Sequence, residues 1–158
     1  LGGGEMAIRN SAKAIVINHG KILLNRCTSR FGEYYALPGG GQNPGETLQE
    51  AVQRELLEET GYRVKPLRLS GIYESVADRT GTEDGCLCHK IYFIFVCRLM
   101  EPHPARPTEH DKFQIGLDWV DMQKIRTGNL FPHAIRDNLT ALLNTEDAIY
   151  IGSEKERI

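Results

Sequence analysis

Three glutamates stand close together near the end of a stretch that reads GETLQEAVQRELLEETG, residues 45–61. Glu55, Glu58 and Glu59 are three and four positions apart, and residues so spaced are neighbours on one surface of a helix. Their like charges repel one another, and the C-terminal end of a helix disfavours anions further. Partly buried and unpaired, each carboxylate would be costlier still. The cluster therefore requires cations nearby, and Arg54 alone cannot balance three carboxylates.

The sequence around these glutamates predicts a helix with well-marked ends. Thr47 is a good N-cap residue, and Glu50, three positions later, gives the pattern of a capping box. Gly61 suits the left-handed position that follows the last turn of many helices. We therefore predict a helix from Leu48 to Thr60.

The glutamates also fall on the side of this helix that should face a core. At about 100° per residue, the apolar residues gather in one stripe, which consists of Leu48, Ala51, Val52 and Leu56. Glu55 and Glu59 lie inside that stripe, and Glu58 lies at its edge. A helix end that simply emerges into solvent is the alternative, and the helix alone leaves both interpretations open.

The loop before the helix favours a cation site. It reads LPGGGQNPGE, residues 37–46, and its successive glycines bring backbone close to a neighbouring group or adopt positive φ. A P-loop is excluded because Glu46 stands where that motif needs lysine, and Pro44 breaks the glycine pattern of a dinucleotide-binding loop. From Glu46 to Glu59, five glutamates and one arginine give a local charge of −4, against −2 for the chain. Carboxylates and backbone carbonyls are the hard ligands that Mg²⁺ or Mn²⁺ takes.

Composition and charge exclude several other classes of protein. The longest apolar run, Ile91 to Cys97, is far shorter than the roughly 20 residues that a membrane span needs. A net charge of −2 without a basic stripe argues against a nucleic-acid partner. We therefore expect a cytoplasmic protein with no membrane partner and no nucleic-acid partner.

The cysteines give no disulfide framework, which is typical of an intracellular chain with free thiols. They are Cys27, Cys86, Cys88 and Cys97. Cys86, Cys88 and His89 suggest a metal, but their spacing is wrong for a zinc knuckle and a second pair of ligands is missing. Ordinary strand cysteines are the better interpretation.

Outside the acidic helix, the sequence predicts strands, polar loops and one further helix. The predicted strands are residues 12–18, 21–26, 34–37, 62–76, 86–99, 113–120 and 148–151. The dipeptide at positions 19–20, His-Gly, indicates a hairpin between the first two. We predict polar loops at residues 78–85 and 101–112, and an amphipathic helix at 131–144 with Pro132 in its first turn.

The order of these elements argues for one α+β domain. Strands mix with two helices, and there is no regular alternation of strand and helix. At 158 residues, the chain is long enough for one domain with a core and short for two. We expect the domain to span residues 6–158, with residues 1–5 as a cloning remnant.

The acidic helix and its loop together resemble the Nudix box of MutT-like Nudix hydrolases. Gly40, five residues, Glu46, seven residues and then REL-x-EE-x-G, which ends at Gly61, match every fixed position of that motif. The final position is usually aliphatic and is Tyr62 here. The box covers 23 residues, and the order of the strands and the helix near the end agree more loosely.

The resemblance implies a fold and an activity. Nudix proteins have an α/β/α sandwich with mixed sheets, in which the box forms a loop, a helix and a second loop. They typically hydrolyse a nucleoside diphosphate linked to another group, and they use Mg²⁺ or Mn²⁺. The same fold also serves as a non-catalytic nucleotide sensor, but such domains usually lose box glutamates that this chain retains.

The resemblance also assigns roles to the box residues. Glu55 and Glu59 would be metal ligands, and Glu58 would be a further ligand or the general base. The carbonyl of Gly40 would complete the set of ligands. In this interpretation, the glutamates inside the apolar stripe are the ones that hold the metal.

Two further roles follow from the same resemblance. Arg54 would pair with Glu46 and hold the register of the helix. In this family the general base is either a box glutamate or a residue on a later loop, where Glu109 and Asp111 are the candidates. Solvated loop charges are the alternative interpretation of both residues.

Aromatic residues before the glycine loop are the candidates for holding the nucleotide. Phe31, Tyr34 and Tyr35 either stack on a base or ribose, or belong to the core or its rim. Residues 75–80 lack the proline or tyrosine that marks family members acting on ADP-ribose or dinucleoside polyphosphates, which favours a nucleoside triphosphate or a related small-molecule nucleotide. Those two substrates and nucleotide sugars stay as alternatives. Many relatives form homodimers, but the sequence indicates no interface.

Overall fold

The computed structural model describes residues 7–78, 87–110 and 112–157. In chain order its elements are β1 (Ile8–Asn18), β2 (Lys21–Ser29), β3 (Gly32–Ala36), β4 (Gly39–Gly41), α1 (Leu48–Thr60), β5 (Val64–Asp78), β6 (Leu87–Leu99), β7 (Gln114–Asp121), α2 (Met122–Ile125), α3 (His133–Asp137), α4 (Leu139–Asn144) and β8 (Ile149–Arg157). None of these helices has the length and apolar character needed to span a membrane.

The strands of the described residues form one mixed sheet in the order β3-β2-β1-β6-β5-β8, with β4 also on β1 and β7 also on β2. β1 pairs with β6 in parallel, as β5 does with β8, and the other pairs are antiparallel. β1 and β2 pair only beside their turn, where Ile17 is opposite Ile22 and Asn18 is opposite Lys21. Beyond that point β1 runs with β4 and β6, while β2 runs with β3 and β7, so the sheet divides into two parts.

Helices cover both faces of the sheet. Because side chains alternate along a strand, β1 directs Ala14 and Val16 to the core beneath α1, and Ile15 to the core beneath α3 and α4. The helix α1 contributes Ala51, Val52 and Leu56 to the first core. The helices α3 and α4 contribute Ile135, Leu139 and Leu142 to the second. The predicted α+β fold, an α/β/α sandwich with a mixed sheet, is confirmed.

The turn between β1 and β2 is the predicted hairpin. His19 and Gly20 have φ angles of 50° and 74°, and a two-residue turn of type I′ needs positive φ at both positions. The two strands extend further than the sequence predicts, to Ile8 at one end and to Ser29 at the other.

The prediction of one continuous helix at residues 131–144 is wrong. The structure has two separate helices on either side of Asn138, which has φ −103° and ψ 8°. The Asn138 side chain donates a hydrogen bond to the carbonyl oxygen of Ala134 at 2.7 Å. Asparagine side chains compete in this way for backbone groups, which interrupts a helix. Pro132 is the N-cap residue of α3 and not part of its first turn.

The start of the glycine loop is a strand, which the sequence did not predict. Gly39–Gly41 forms β4 and pairs with β1, where Gly40 is opposite Ala12. Gly39 has φ 141°, and a β-carbon there would overlap the carbonyl oxygen of Ala12. Only glycine therefore lets the two strands approach this closely at that point.

The described cysteines form no disulfide. Cys27 and Cys97 are buried, and Cys88 is exposed. Burial raises the pKa of the Cys97 thiol to about 12. Cys86 and most of the predicted polar loop at 78–85 lie outside the described residues.

Candidate active site

The helix α1 begins and ends where the sequence predicts. The Oγ1 atom of Thr47 accepts a hydrogen bond from the N–H of Glu50 at 3.1 Å, and Gly61 has φ 78°, in the left-handed region. The capping box differs in one respect, because the Glu50 carboxylate accepts a hydrogen bond from the Thr47 hydroxyl at 3.0 Å, whereas the predicted pattern aims it at the backbone N–H. Glycine is needed at position 61, since a β-carbon there would overlap the carbonyl oxygen of Ala105.

The apolar stripe of α1 is buried, and Glu59 is buried with it. Glu59 is 6% exposed, and its Oε1 atom accepts a hydrogen bond from Nδ2 of Asn25 on β2. The Glu55 side chain is 16% exposed and the Glu58 side chain 29%. The three glutamates therefore follow the predicted order, with the residue at the edge of the stripe the most exposed.

Arg54 joins the loop before α1 to the glutamates of the helix. Its Nε and Nη2 atoms lie 2.6 Å and 2.9 Å from the two carboxylate oxygens of Glu46, which makes that pair bidentate. Its Nη1 atom lies 2.9 Å from Oε1 of Glu55 and 3.0 Å from Oε2 of Glu58. Nη2 also donates to the carbonyl oxygen of Gly41 at 2.8 Å. One guanidinium thus contacts three carboxylates and the glycine loop.

Glu46 is the carboxylate of this cluster whose charge is best balanced by Arg54. The hydrogen bond from Arg54, together with one from the N–H of Asn43, lowers the pKa of Glu46 to about 2. The same bond raises the pKa of Arg54, so the guanidinium stays charged. Bidentate pairs of this kind fix geometry as well as charge, and this one ties the loop to the middle of the helix.

The hydrogen bond from Arg54 does not fully offset the cost of burying the charge of Glu55. Burial raises the pKa of its carboxyl, and the hydrogen bond from Arg54 opposes that change without cancelling it. The charges of Glu58 and Glu109 raise the same pKa further. A buried carboxyl with a raised pKa is stabilised in its charged form by any additional cation. This agrees with the expectation that Arg54 alone cannot balance the glutamates.

Gly40 lies directly against the Glu55 carboxylate. A β-carbon at position 40 would be 2.5 Å from Oε2 and 2.6 Å from Cδ of Glu55. The absence of a side chain at Gly40 is therefore what leaves room for this carboxylate between β4 and α1.

The loop at residues 101–110 docks on the C-terminal turn of α1. The backbone N–H groups of Thr108 and Glu109 donate to the carbonyl oxygen of Glu58 at 2.8 Å and 3.0 Å. The N–H of Ala105 donates to the carbonyl oxygen of Gly61 at 2.8 Å. These amides satisfy carbonyls that a helix end leaves without partners, and they bring Glu109 to the acidic end of α1. Asp111, the other candidate on this loop, lies outside the described residues.

The acidic end of α1 does not form a closed set of metal ligands. Among the described residues, no three His, Cys, Asp or Glu side chains are grouped closely enough to hold a metal ion. The Nη1 atom of Arg54 is bonded to both Glu55 and Glu58. The donor atoms nevertheless suit Mg²⁺ or Mn²⁺, because they are carboxylate oxygens. The Asn25 amide, which bonds to Glu59 through Nδ2, also has a buried Oδ1 atom. That amide oxygen has no hydrogen-bond partner in the part of the chain that the structure describes.

An aromatic group lies on the same face of the sheet as the glutamates. Tyr34 is the cross-strand partner of Cys27, two positions along β2 from Asn25, so its side chain points to the α1 side. Two residues of strand span about 6.8 Å. The Tyr34 ring centroid is 6.1 Å from that of Phe131 in an edge-to-face arrangement. Phe131 is 39% exposed, so the pair presents an accessible aromatic surface.

The other two aromatic candidates are elsewhere. Tyr35 packs with the core beneath α3 and α4, and its hydroxyl donates to Oδ2 of Asp118 at 2.8 Å, which raises the Tyr35 pKa. Phe31 is 87% exposed at the β2–β3 turn, with the guanidinium of Arg30 4.7 Å from its ring centroid. The structure does not bring either residue to the glutamates of α1.

Two residues of this site were not identified from the sequence. Asn25 is a polar residue inside the apolar run KILLNR, and such a residue at a core-facing strand position was the available signal. Phe131 was assigned to the start of a helix, whereas the hydrogen bond from its backbone N–H to the carbonyl oxygen of Tyr35, at 2.8 Å, shows that it lies beside β3.

Comparison with known proteins identifies relatives over most of the chain. A family model described as NUDIX domain matches residues 7–140. The nucleoside triphosphatase NudI of Enterobacter sp. strain 638 is 33% identical over 124 residues, which are 73% of this chain and 84% of that protein. The ADP-ribose pyrophosphatase of Methanocaldococcus jannaschii is 47% identical over 54 residues, which are 34% of this chain and 32% of that protein.

Solved structures show the same fold. A NUDIX hydrolase from Nitrosomonas europaea superposes with a TM-score of 0.66 over 85% of this chain and 88% of the other. The two sequences are 24% identical, so this comparison describes the fold alone.

Proposed function

This chain belongs to the NUDIX family of hydrolases, which act on phosphoanhydride bonds, and from that membership we propose that it is a metal-dependent pyrophosphohydrolase of nucleoside triphosphates or related nucleotides. The observation that carries the proposal is the acidic end of α1. There Glu59 lies on a buried stripe, and burial raises the pKa of Glu55 beyond what Arg54 offsets. Carboxylates so placed are stabilised by a divalent cation.

We assign the metal to the carboxylates of Glu55 and Glu59, with the backbone oxygen of Gly40 as a further ligand; Glu58 is either a third carboxylate ligand or the general base. The packing of Glu55 against Gly40 supports its assignment as a metal ligand, and the hydrogen bond from Asn25 supports that of Glu59. A bound Mg²⁺ or Mn²⁺ would attract the polyanionic substrate to this acidic surface and stabilise the charge that develops on the leaving oxygen.

Arg54 and Glu46 are positioning residues in this proposal. Their bidentate pair fixes the glycine loop to the helix, and the remaining nitrogen of Arg54 orients Glu55 and Glu58. Phosphoryl transfer depends mostly on positioning and electrostatics, so residues that hold the ligands in place contribute to the rate.

Glu58 is the proposed general base. It is the most exposed of the three clustered glutamates Glu55, Glu58 and Glu59, which lets its carboxylate reach a water molecule and take its proton. Glu109 is the second candidate, since its backbone N–H bonds to the carbonyl oxygen of Glu58 and its side chain is exposed. A general base must lie within about 3 Å of the proton that it takes, directly or through one water.

Tyr34 and Phe131 are the proposed surface for the nucleobase or ribose. Tyr34 was one of the three aromatic candidates, and it shares the α1 face of the sheet with Asn25. Stacking on an aromatic ring tolerates any base, because every base has a π-face. This surface therefore supports a nucleotide substrate without selecting among bases.

A nucleoside triphosphate is the preferred substrate class. The support is the relative that covers most of this chain, which is named a nucleoside triphosphatase. ADP-ribose is the second candidate, because a relative named ADP-ribose pyrophosphatase matches at higher identity over a third of the chain.

The test is turnover of a nucleotide panel by the purified chain. The panel holds canonical and oxidised nucleoside triphosphates, ADP-ribose, nucleotide sugars and dinucleoside polyphosphates, each with Mg²⁺, with Mn²⁺ and with chelator. Released phosphate or pyrophosphate is measured, with phosphatase coupling where it is needed. Glu58→Gln is compared with Glu50→Gln, which changes an exposed glutamate on the same helix.

We expect turnover that requires the metal, that is highest with a nucleoside triphosphate, and that falls about 100-fold or more in Glu58→Gln. Glu50→Gln should keep the wild-type rate. Turnover that survives chelator, or equal losses in both variants, would contradict the assignment. Nucleotide binding without any turnover would favour the sensor function instead.

A further inference from the structure

We propose that Asn25 on β2 is a positioning residue for Glu59, and that it sets how tightly the acidic end of α1 binds a divalent cation. Asn25 is 4% exposed, Glu59 is 6% exposed, and the Nδ2 atom of the first donates to Oε1 of the second. The inference rests on the proposed function, because that function assigns Glu59 to the metal.

A neutral donor is the suitable partner for a carboxylate that must also bind a cation. The guanidinium of Arg54 cancels much of the charge of the carboxylates that it contacts, as its bidentate pair with Glu46 illustrates. The amide of Asn25 satisfies one oxygen of Glu59 and carries no charge, so the carboxylate keeps its attraction for a metal. A lysine or arginine at position 25 would compete with the metal for the same carboxylate.

The strand holds the amide in a fixed position. Asn25 lies in the middle of β2, where it is opposite Ala36 on β3 and opposite Leu117 on β7. Its side chain is short, whereas a glutamate has three rotatable bonds and loses more freedom when it is fixed. The hydrogen bond therefore selects one orientation of Glu59 before any metal arrives, and partners that orient metal ligands in this way are worth about 10- to 100-fold in affinity.

Folding alone does not explain an asparagine at this position. Its Oδ1 atom is buried and has no hydrogen-bond partner among the described residues, which is unfavourable for stability. Leucine has the same branching at Cγ and the same number of side-chain heavy atoms, and the two residues before Asn25 on this strand, Leu23 and Leu24, are fully buried leucines. The bond to Glu59 explains why an asparagine with one unpaired buried oxygen stands beside two buried leucines.

The experiment compares Mn²⁺ binding and thermal unfolding in the full chain. Free Mn²⁺ is measured by its electron paramagnetic resonance signal in titrations of the wild type, Asn25→Leu, Asn25→Ala and Glu59→Gln, without nucleotide. Ser70→Ala is the matched control. Ser70 is also fully buried and hydrogen-bonded, but to the carbonyl oxygen of Leu142, beneath α4 on the other face of the sheet.

We expect the Kd for Mn²⁺ to rise about tenfold or more in Asn25→Leu, and the unfolding temperature without metal to fall, because the buried Glu59 carboxylate loses a hydrogen bond. Asn25→Ala should weaken Mn²⁺ binding as much and lower the unfolding temperature, because it leaves a cavity. Ser70→Ala should lower the unfolding temperature and leave the Kd unchanged.

Two results separate failure of this inference from failure of the proposed function. If the wild type binds Mn²⁺, Glu59→Gln loses it and both Asn25 variants bind as the wild type does or more tightly, Asn25 is only structural and the inference is wrong. If the wild type itself does not bind Mn²⁺, the metal site of the proposed function is wrong, and the inference fails with it.

Discussion

Replacement of Gly40 by alanine tests the account of Glu55 with a single methyl group. The added β-carbon would be 2.5 Å from Oε2 of Glu55 and 2.6 Å from its Cδ. Non-bonded atoms settle at about 3.5 Å, so the carboxylate must move by about 1 Å. Gly40 is not among the glycines with positive φ, so alanine is compatible with its backbone.

The expected effect is large on catalysis and small on folding. A misplacement of about 1 Å in a catalytic group lowers rates about 100-fold, which corresponds to about 2.7 kcal/mol in the activation barrier. The atoms that move belong to the end of a flexible side chain, so we expect the free energy of unfolding to change by less than about 1 kcal/mol.

The next glycine provides the control. A β-carbon at Gly41 would meet nothing within 4 Å, and this residue is likewise not among the glycines with positive φ. The assay is kcat/KM with Mg²⁺ and the preferred nucleotide, together with urea unfolding, for Gly40→Ala and Gly41→Ala. Equal activity in the two variants, or a loss in Gly40→Ala that follows an equal loss of stability, would refute the reasoning about Glu55.

The remaining predictions concern charge, stacking and proton transfer. The pKa of Glu46 is lowered from 4.5 to about 2, so the stability that its charge contributes is complete above pH 4.5 and is lost as the pH falls toward 2. Urea unfolding should show Glu46→Gln less stable than the wild type at pH 7, and the difference in unfolding free energy should shrink below pH 4.5. Tyr34→Ala should raise KM about 5- to 150-fold, because a stacked base is worth about 1–3 kcal/mol, while Phe31→Ala should leave KM unchanged. Equal effects of the two substitutions on KM would remove Tyr34 from the nucleotide site. Glu109→Gln should lower kcat by less than about tenfold, because a general base contributes about 100-fold or more and Glu58 is the proposed base. A larger loss of kcat, measured across pH, would indicate that Glu109 is the general base.

The parts of the site that depend on local sequence were predictable. Thr47 and Gly61 mark the two ends of α1, and the structure places both ends there. The 3.6-residue period placed Glu59 on the buried stripe, and it is buried. His19 and Gly20 likewise predicted the hairpin that aligns β1 with β2. Each of these features is determined by residues that are close together in the sequence.

The parts that depend on distant residues were not predictable. The bond between Asn25 and Glu59 joins positions 34 residues apart, and no local pattern indicates it. Residues 131–144 have the period of one helix, but the side chain of Asn138 bonds to the backbone and divides it. The strand at Gly39–Gly41 forms because β1 supplies a pairing partner. A glycine-rich segment does not by itself indicate a strand.

The position of the bound metal decides whether the acidic end of α1 is the metal-dependent active site. Crystals of the chain grown with Mn²⁺ and a non-hydrolysable nucleoside triphosphate analogue would be measured by anomalous diffraction at the manganese edge. We expect an anomalous peak in contact with the carboxylates of Glu55 and Glu59, with Arg54 still paired to Glu46. A peak only at other residues, or none at saturating Mn²⁺, would contradict the claim that the acidic end of α1 is the metal-dependent active site.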